Sequence, residues 1–248
     1  MTLINKIINR IYWFFKFGSK QIFCKSKIIG SKKSNINIHK SVHVSQSIIY
    51  LHEGSSLIIE EGTTIRNCNI SIKGSVTIGK NNILYGDKNN NKLSIIVNGN
   101  LKIGNYNRIQ SSILIRYGGE VTIGNHNNIN HESELRSDEK ISIGNFNQIS
   151  YKVIIWDTNT HNIYPAQVRR NLTIDKFPIF GYEYEKPKTK PVFIGDDCWI
   201  GREAALLKGA VLSNKCILGF RTVLSDFKTE ESTTIVSQVS NKVFVNKI

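Results

Sequence analysis

In the last third of the chain, large aliphatic residues return every six positions. Ile194, Ile200, Leu206, Leu212, Leu218 and Leu224 stand six apart, and the residue four places after each of the first five is small: Cys198, Ala204, Ala210, Cys216 and Thr222. A strand alternates faces every two residues and a helix repeats every ~3.6, so neither alone calls for a period of six. A coil with three short sides does. Each hexad forms one side, three hexads close a turn of roughly eighteen residues, the aliphatic fills the interior and the small residue fits near a corner. The pattern predicts an all-β fold, a parallel β-helix.

Longer coils precede these. Leu101-Lys-Ile103-Gly104-Asn105, Val121-Thr-Ile123-Gly124-Asn125 and Ile141-Ser-Ile143-Gly144-Asn145 begin twenty residues apart, and Val76-Thr-Ile78-Gly79 is an earlier copy. Six-residue steps hold within each coil, as in Ile123, Ile129 and Leu135. The two surplus residues per coil are expected to bulge at one corner, as Gly118-Gly119 suggests. The recurring Gly-Asn-x-Asn suits a corner that needs positive φ, and its asparagines are placed to stack as a ladder between coils. Gly74 to Lys80 shares the opening of a phosphate-binding loop but continues with Asn81 and no helical pattern, and it reads as another repeat unit. Cys198 and Cys216, one coil apart, are expected to stack as small inward residues.

Two segments break the period. In residues 1–23 apolar side chains at 4, 7, 8, 11, 14 and 15 fall at helical spacing, among Lys6, Arg10 and Lys16. The second break, 158–191, contains Pro165, Pro178 and Pro187 and is long enough to be functional. The expected organisation is a basic amphipathic N-terminal segment over 1–30, a β-helix domain over 31–230 with a long loop inserted at about 158–191, and a C-terminal extension over 231–248.

Charge adds a partner question. The chain has 248 residues and a formal net charge of +14; its first acidic residue is Glu53, after nine Lys and Arg. Such a bias either solubilises the chain or draws it to an anionic membrane surface or an acidic glycan. Nucleic acid is not expected, because no zinc-finger, RRM or helix-turn-helix signature is present. The N-terminal segment is expected to lie against the inner face of a membrane as an interfacial helix, or to cap the open end of the β-helix. No apolar run reaches eighteen residues, so no ordinary transmembrane helix is expected. Lys6 and Arg10 interrupt what would be a signal-peptide core. Cys24, Cys68, Cys198 and Cys216 form no C-x-x-C pair, which points to free thiols in a reducing, cytoplasmic compartment.

The run Lys190-Pro-Val-Phe-Ile-Gly-Asp-Asp-Cys-Trp-Ile-Gly201, followed by Lys208-Gly-Ala-Val-Leu-Ser-Asn-Lys-Cys-Ile-Leu-Gly219, resembles the hexapeptide-repeat acyltransferases. These are left-handed parallel β-helices, and the likeness is to their galactoside/maltose and polysaccharide-modifying O-acetyltransferases. It covers about residues 54 to 230. The resemblance implies acetyl-CoA as co-substrate, with no permanently bound cofactor, and a homotrimer with active sites between neighbouring subunits. It also implies a histidine general base, by position His161. The residues themselves agree: stepping six from Ile155 lands on His161, so a titratable ring replaces a core aliphatic where the inserted segment departs. Asp157 is a candidate to orient that ring.

Further assignments follow from the resemblance. Asn130, His131 and Asp138 match the acceptor-site coil; Tyr164 and Arg169 of the inserted segment are acceptor candidates by their own chemistry, an aromatic face for a sugar ring and a guanidinium for a carboxylate. Trp199, Arg202, Gly219, Phe220 and Ser225 match positions along the acetyl-CoA channel, and Lys242 takes the basic position at its end. Phe220-Arg221 stands where the family has small residues. No metal ligand set is expected, since His126 and His131 occupy different hexad registers. The function read from the sequence is acetyl transfer to a carbohydrate hydroxyl, with a bacterial surface polysaccharide, capsule or lipopolysaccharide, as the expected acceptor. N-acylation of an amino sugar and a non-catalytic solenoid stand as alternatives.

Overall fold

The computed structural model describes residues 26–237, apart from 32, 88–91 and 180. The amphipathic segment 1–23, Cys24 and Lys242 therefore lie outside the described residues. The described residues wind as a three-sided parallel β-helix, all-β apart from one short helix, matching the left-handed form expected. The first face runs from Lys27–Gly30 through Glu134–Ser137, Ile154–Trp156 and Ala205–Leu206 to Val223–Leu224. The second runs from Asn35–Ile38 through Lys140–Ile143 and Val192–Ile194 to Val211–Leu212. The third runs from His43–Ser45 through Asn128–Ile129, Gln148–Ile149 and Trp199–Ile200 to Thr234–Ile235. Two long strands, Leu93–Ile103 and Ser112–Ile123, turn the corner between the first and second faces without a break.

The hexads explain why these strands form. Ile194, Ile200, Leu206, Leu212, Leu218 and Leu224 are all buried in one column, with Cys198, Ala204, Ala210, Cys216 and Thr222 buried at the corners beside them. A side of two to four residues has room for only one or two inward side chains, so a slip of one residue would turn the aliphatics outward. Each buried Ile or Leu contributes about 1.5–3 kcal/mol. Strand hydrogen bonds run from each coil to the next, as in Gly124 N to Ile143 O at 2.9 Å and Gly144 N to Ile194 O at 2.8 Å.

Asparagines close the corner between the second and third faces. Asn82, Asn107, Asn127 and Asn147 are buried and stacked. Asn127 Nδ2 donates to Asn107 Oδ1 at 3.0 Å and to Gly144 O at 2.9 Å, and Asn147 N donates to Asn127 Oδ1 at 2.9 Å. The ladder forms as expected, but the glycines beside it have a different reason. The positive φ falls on the x of Gly-Asn-x-Asn, at Tyr106 (58°), His126 (58°) and Phe146 (59°). Gly124 is needed because a Cβ there would run into Gly144 O and Asn145 Oδ1. The three αL rings stack on one another at centroid spacings of 5.0 and 4.9 Å.

The surplus residues collect at the corner between the first and second faces. From Ile115 to Ile123 and from Leu135 to Ile143 the inward step is eight residues, where Leu206 to Leu212 is six. Tyr117 (φ 52°) and Gly118 (φ 77°) form the bulge, beside the register shift that follows Val97. The insertion 158–191 leaves from this same corner one coil further on. It is an arm rather than a plain loop, since it contains the helix Ala166–Asp175. An antiparallel bridge between Thr158 and Thr189 and the bond from Lys190 N to Asp157 O at 2.9 Å close its base. The solenoid therefore resumes in register, with Ile143 opposite Ile194.

Candidate functional site

His161 stands at the exit of a tight turn. Thr160 has φ 65°, and His161 N donates to Asn159 O at 2.8 Å. A β-branched residue in the left-handed region is strained, by about 1–3 kcal/mol, and persists only where its surroundings impose it. The imidazole is half exposed, at 53% of its side-chain surface. Its Nδ1 lies 2.8 Å from Glu183 Oε1, whose side chain is 1% exposed. Gly181, at φ 73°, brings backbone so near the ring that a Cβ there would sit 2.8 Å from His161 Cε1.

Glu183 is the hub of the arm. Its Oε1 also accepts from Arg169 Nη2 at 2.7 Å, and its Oε2 accepts from Asn162 N at 3.0 Å and Asn162 Nδ2 at 3.1 Å. Burial would raise its carboxyl, but the bonds from Asn162, His161 and Arg169 outweigh burial and hold it down at about 2. An anionic acceptor at Nδ1 fixes the neutral ring as the Nδ1–H tautomer and leaves Nε2 with its lone pair outward. Sequence reasoning did not single out Glu183; twenty-two residues separate it from His161 and only the folding back of the arm joins them.

Several expected roles are revised by this geometry. Asp157 does not orient the ring. It is buried in the corner, where Oδ1 accepts from Asp138 N at 2.8 Å and Oδ2 from Ser137 Oγ at 2.6 Å and Glu139 N at 3.0 Å. Burial pushes its carboxyl above the ordinary range against the pull of those donors. Asp138 does not face an acceptor either. Its side chain is 0% exposed and is held by Arg116, Nε to Oδ1 at 2.8 Å and Nη2 to Oδ2 at 2.7 Å, and by Thr158 Oγ1 at 2.7 Å. Arg169 binds the arm itself, through Glu183, Tyr182 O at 3.1 Å and Asn162 O at 3.1 Å, and its guanidinium covers Tyr164 at 4.8 Å from the ring centroid. Tyr164 is half-buried between Arg169 and Asn162 Nδ2, which reaches its hydroxyl at 3.3 Å.

The remaining candidates lie on other parts of the prism. Asn130 and His131 are at the corner between the third and first faces. There Asn130 Nδ2 donates to Ile149 O at 3.0 Å, and His131 packs edge-on to Tyr151 at 4.5 Å. Arg202, Gly219 and Phe220 follow at that same corner in later coils. Arg202 Nε lies 3.2 Å from Glu203, and a Cβ on Gly219 would sit 2.8 Å from Val236 Cγ1. Phe220 is exposed beneath the Arg221 guanidinium. Trp199 points outward from the third face, 58% exposed. Ser225 lies near the base of the arm, next to Asp226, which pairs with Lys190. Trp199, Arg202, Gly219 and Phe220 thus form a strip on the third face and its corner, whereas Ser225 lies on the arm's side of the prism; the arm carries His161 at another corner of the same subunit.

Among the described residues no cluster of three metal-ligating side chains occurs, and no helix is long and apolar enough to cross a membrane. Cys68, Cys198 and Cys216 are free and buried, and burial pushes the Cys68 thiol up to about 12 and the Cys198 thiol to about 11.

No family model and no curated protein matches the chain. Two similar solved structures are the polysialic acid O-acetyltransferase OatWY, 19% identical with a TM-score of 0.39 over 90% of this chain and 95% of that one, and the polySia-specific acetyltransferase NeuO, 16% identical with a TM-score of 0.41 over 89% and 75%.

Proposed function

We propose that this chain is an acetyl-CoA-dependent O-acetyltransferase that acts on a carbohydrate hydroxyl, with His161 as general base. The observation that carries the reading is the His161–Glu183 pair: a buried, ionised carboxylate on Nδ1 and a half-exposed imidazole whose Nε2 bonds to no described residue. Nε2 takes the proton of the acceptor hydroxyl as its oxygen attacks the thioester carbonyl. The C–O bond forms, the C–S bond breaks, and the imidazolium returns the proton to the departing thiolate. Glu183 stabilises the imidazolium between these steps. Positioned base catalysis of this kind is worth about 10²–10⁴-fold.

Trp199, Arg202, Gly219, Phe220 and Ser225 are proposed to receive acetyl-CoA, with Lys242 at the nucleotide end. The separation of Trp199, Arg202, Gly219 and Phe220 from His161 within one subunit supports a homotrimer, in which the third face of one copy meets the arm of the next. The net charge of +14 supports an acidic acceptor, and a bacterial surface polysaccharide or its lipid-linked precursor is the proposed substrate class. The test is mass spectrometry of candidate glycans incubated with acetyl-CoA. A gain of one acetyl mass that alkali removes, present with the wild type and lost with His161→Ala, is expected. An alkali-stable gain would make the product an amide, and equal turnover by His161→Ala would remove the ring from the reaction.

A further inference from the structure

We propose that Asp138 is a positioning residue for His161, acting through the hydroxyl of Thr158; the inference rests on the reading of His161 as general base. The side chain of Asp138 is wholly buried, and its oxygens meet Arg116 on the coil before and Thr158 on the coil after. The Thr158 hydroxyl has its donor and acceptor roles fixed by these contacts. It donates to Asp138 Oδ2 at 2.7 Å, and it accepts from Thr160 N at 3.0 Å. Thr160 is the strained left-handed residue, and His161 follows it directly. A carboxylate deep in the corner therefore sets the hydroxyl, the hydroxyl sets the turn, and the turn sets the departure of the ring.

A general role in holding coils together is already filled by another residue. Asp157 takes the backbone N–H groups of Asp138 and Glu139 and the Ser137 hydroxyl, and Lys190 N meets Asp157 O. Among the described residues the Asp138 side chain bonds to no backbone group. Its contacts are the guanidinium that neutralises it and the hydroxyl that leads to the turn. The opposite side of the turn is fixed independently, by Asn159 N to Lys188 O at 3.0 Å and by the Thr158–Thr189 bridge. The ring thus has two supports from separate elements: Glu183 at Nδ1, and the Asp138–Thr158 relay at its backbone. A base displaced by an ångström loses in-line contact with the attacking hydroxyl, an error that costs on the order of 100-fold.

The experiment compares Thr158→Val, which keeps the shape and removes the hydroxyl, with Thr158→Ser, which keeps the hydroxyl, in the full-length protein, alongside Asp138→Asn. Three quantities are read: kcat and KM for acetyl-CoA and acceptor, hydrogen exchange of the Thr160 amide, and the thermal unfolding curve. Thr158→Val is expected to lower kcat by about 10- to 100-fold with KM for acetyl-CoA unchanged, and to release the Thr160 amide to exchange. Thr158→Ser is expected to restore both. Wild-type kcat in Thr158→Val, or a Thr158→Ser variant as slow as Thr158→Val, overturns the relay while leaving His161 as base. If Asp138→Asn does not fold, the two Thr158 variants decide alone. A wild-type protein that transfers no acetyl group to any glycan overturns the underlying reading and the relay with it.

Discussion

Glu183 Oε1 lies 2.8 Å from Nδ1 of His161 and 2.7 Å from Nη2 of Arg169, so one buried oxygen joins the ring to the helix of the arm. Replacing Glu183 with Gln keeps the shape and removes the charge. The tautomer is then no longer imposed and the imidazolium loses its partner. Turnover is expected to fall by about 10²-fold or more, with little change in KM for acetyl-CoA. Steady-state kinetics of Glu183→Gln against His161→Ala checks this; a variant as fast as wild type would show that the carboxylate only braces the arm.

The same carboxylate makes the arm sensitive to acid. Its carboxyl, 4.5 when free, is held at about 2 in the folded arm. Its stabilisation is complete above pH 4.5 and is lost as pH falls toward 2. Hydrogen exchange of residues 158–191 is expected to accelerate below about pH 4, before the coils themselves open. Glu183→Gln should flatten that dependence.

Gly181→Ala is expected to lower kcat by roughly tenfold or more, because the added methyl reaches His161 Cε1 and a Cβ at φ 73° is strained. Enzyme kinetics and circular dichroism of the variant give the answer. Lost activity with an unchanged spectrum is the expected pair of results.

Trp199→Ala should leave stability within about 0.5 kcal/mol, since the indole is largely in water, and should raise KM for acetyl-CoA. Titration of acetyl-CoA at saturating acceptor measures the effect. An unchanged KM would remove Trp199 from the donor site.

Asn127→Leu is expected to destabilise the solenoid by about 3 kcal/mol or more despite its added apolar surface, because Gly144 O, Asn147 N and Asn107 Oδ1 lose a buried partner. A fall of roughly 6–12 °C in thermal unfolding would match that loss.

Much of the fold was legible because a solenoid asks the same question at every turn. One inward aliphatic per side recurs at six-residue spacing through the C-terminal coils, so Ile194 to Leu224 announce the geometry without any distant contact. His161 was singled out six residues beyond Ile155, but the column position expected for it is filled by Ile194, and the ring stands half exposed on the arm. The supports of the ring were not legible. Glu183 and Arg116 reach their positions by the return of an arm and by the stacking of coils, and neither leaves a periodic trace. The helix Ala166–Asp175 was hidden because it is mostly exposed: only Leu172 is buried, so no apolar stripe marks it, and Pro165 at its start is the one local cue. Asp157 and Asp138 were read by position as carboxylates touching the ring or the acceptor, whereas burial and the donors around them keep both out of direct contact with either.

The closure at Thr158–Thr189 has a consequence for how such a protein can change. The chain leaves the stack at Asp157 and re-enters at Lys190 across one short antiparallel bridge, and the strands above and below meet as though nothing intervened. His161 and Glu183 both travel on the excursion. The His161–Glu183 pair is therefore carried on a cassette whose ends meet within the register of the coils. A lineage could lengthen, trade or delete it in one event without relearning how to fold, and what one descendant uses as chemistry another could inherit as a bare column.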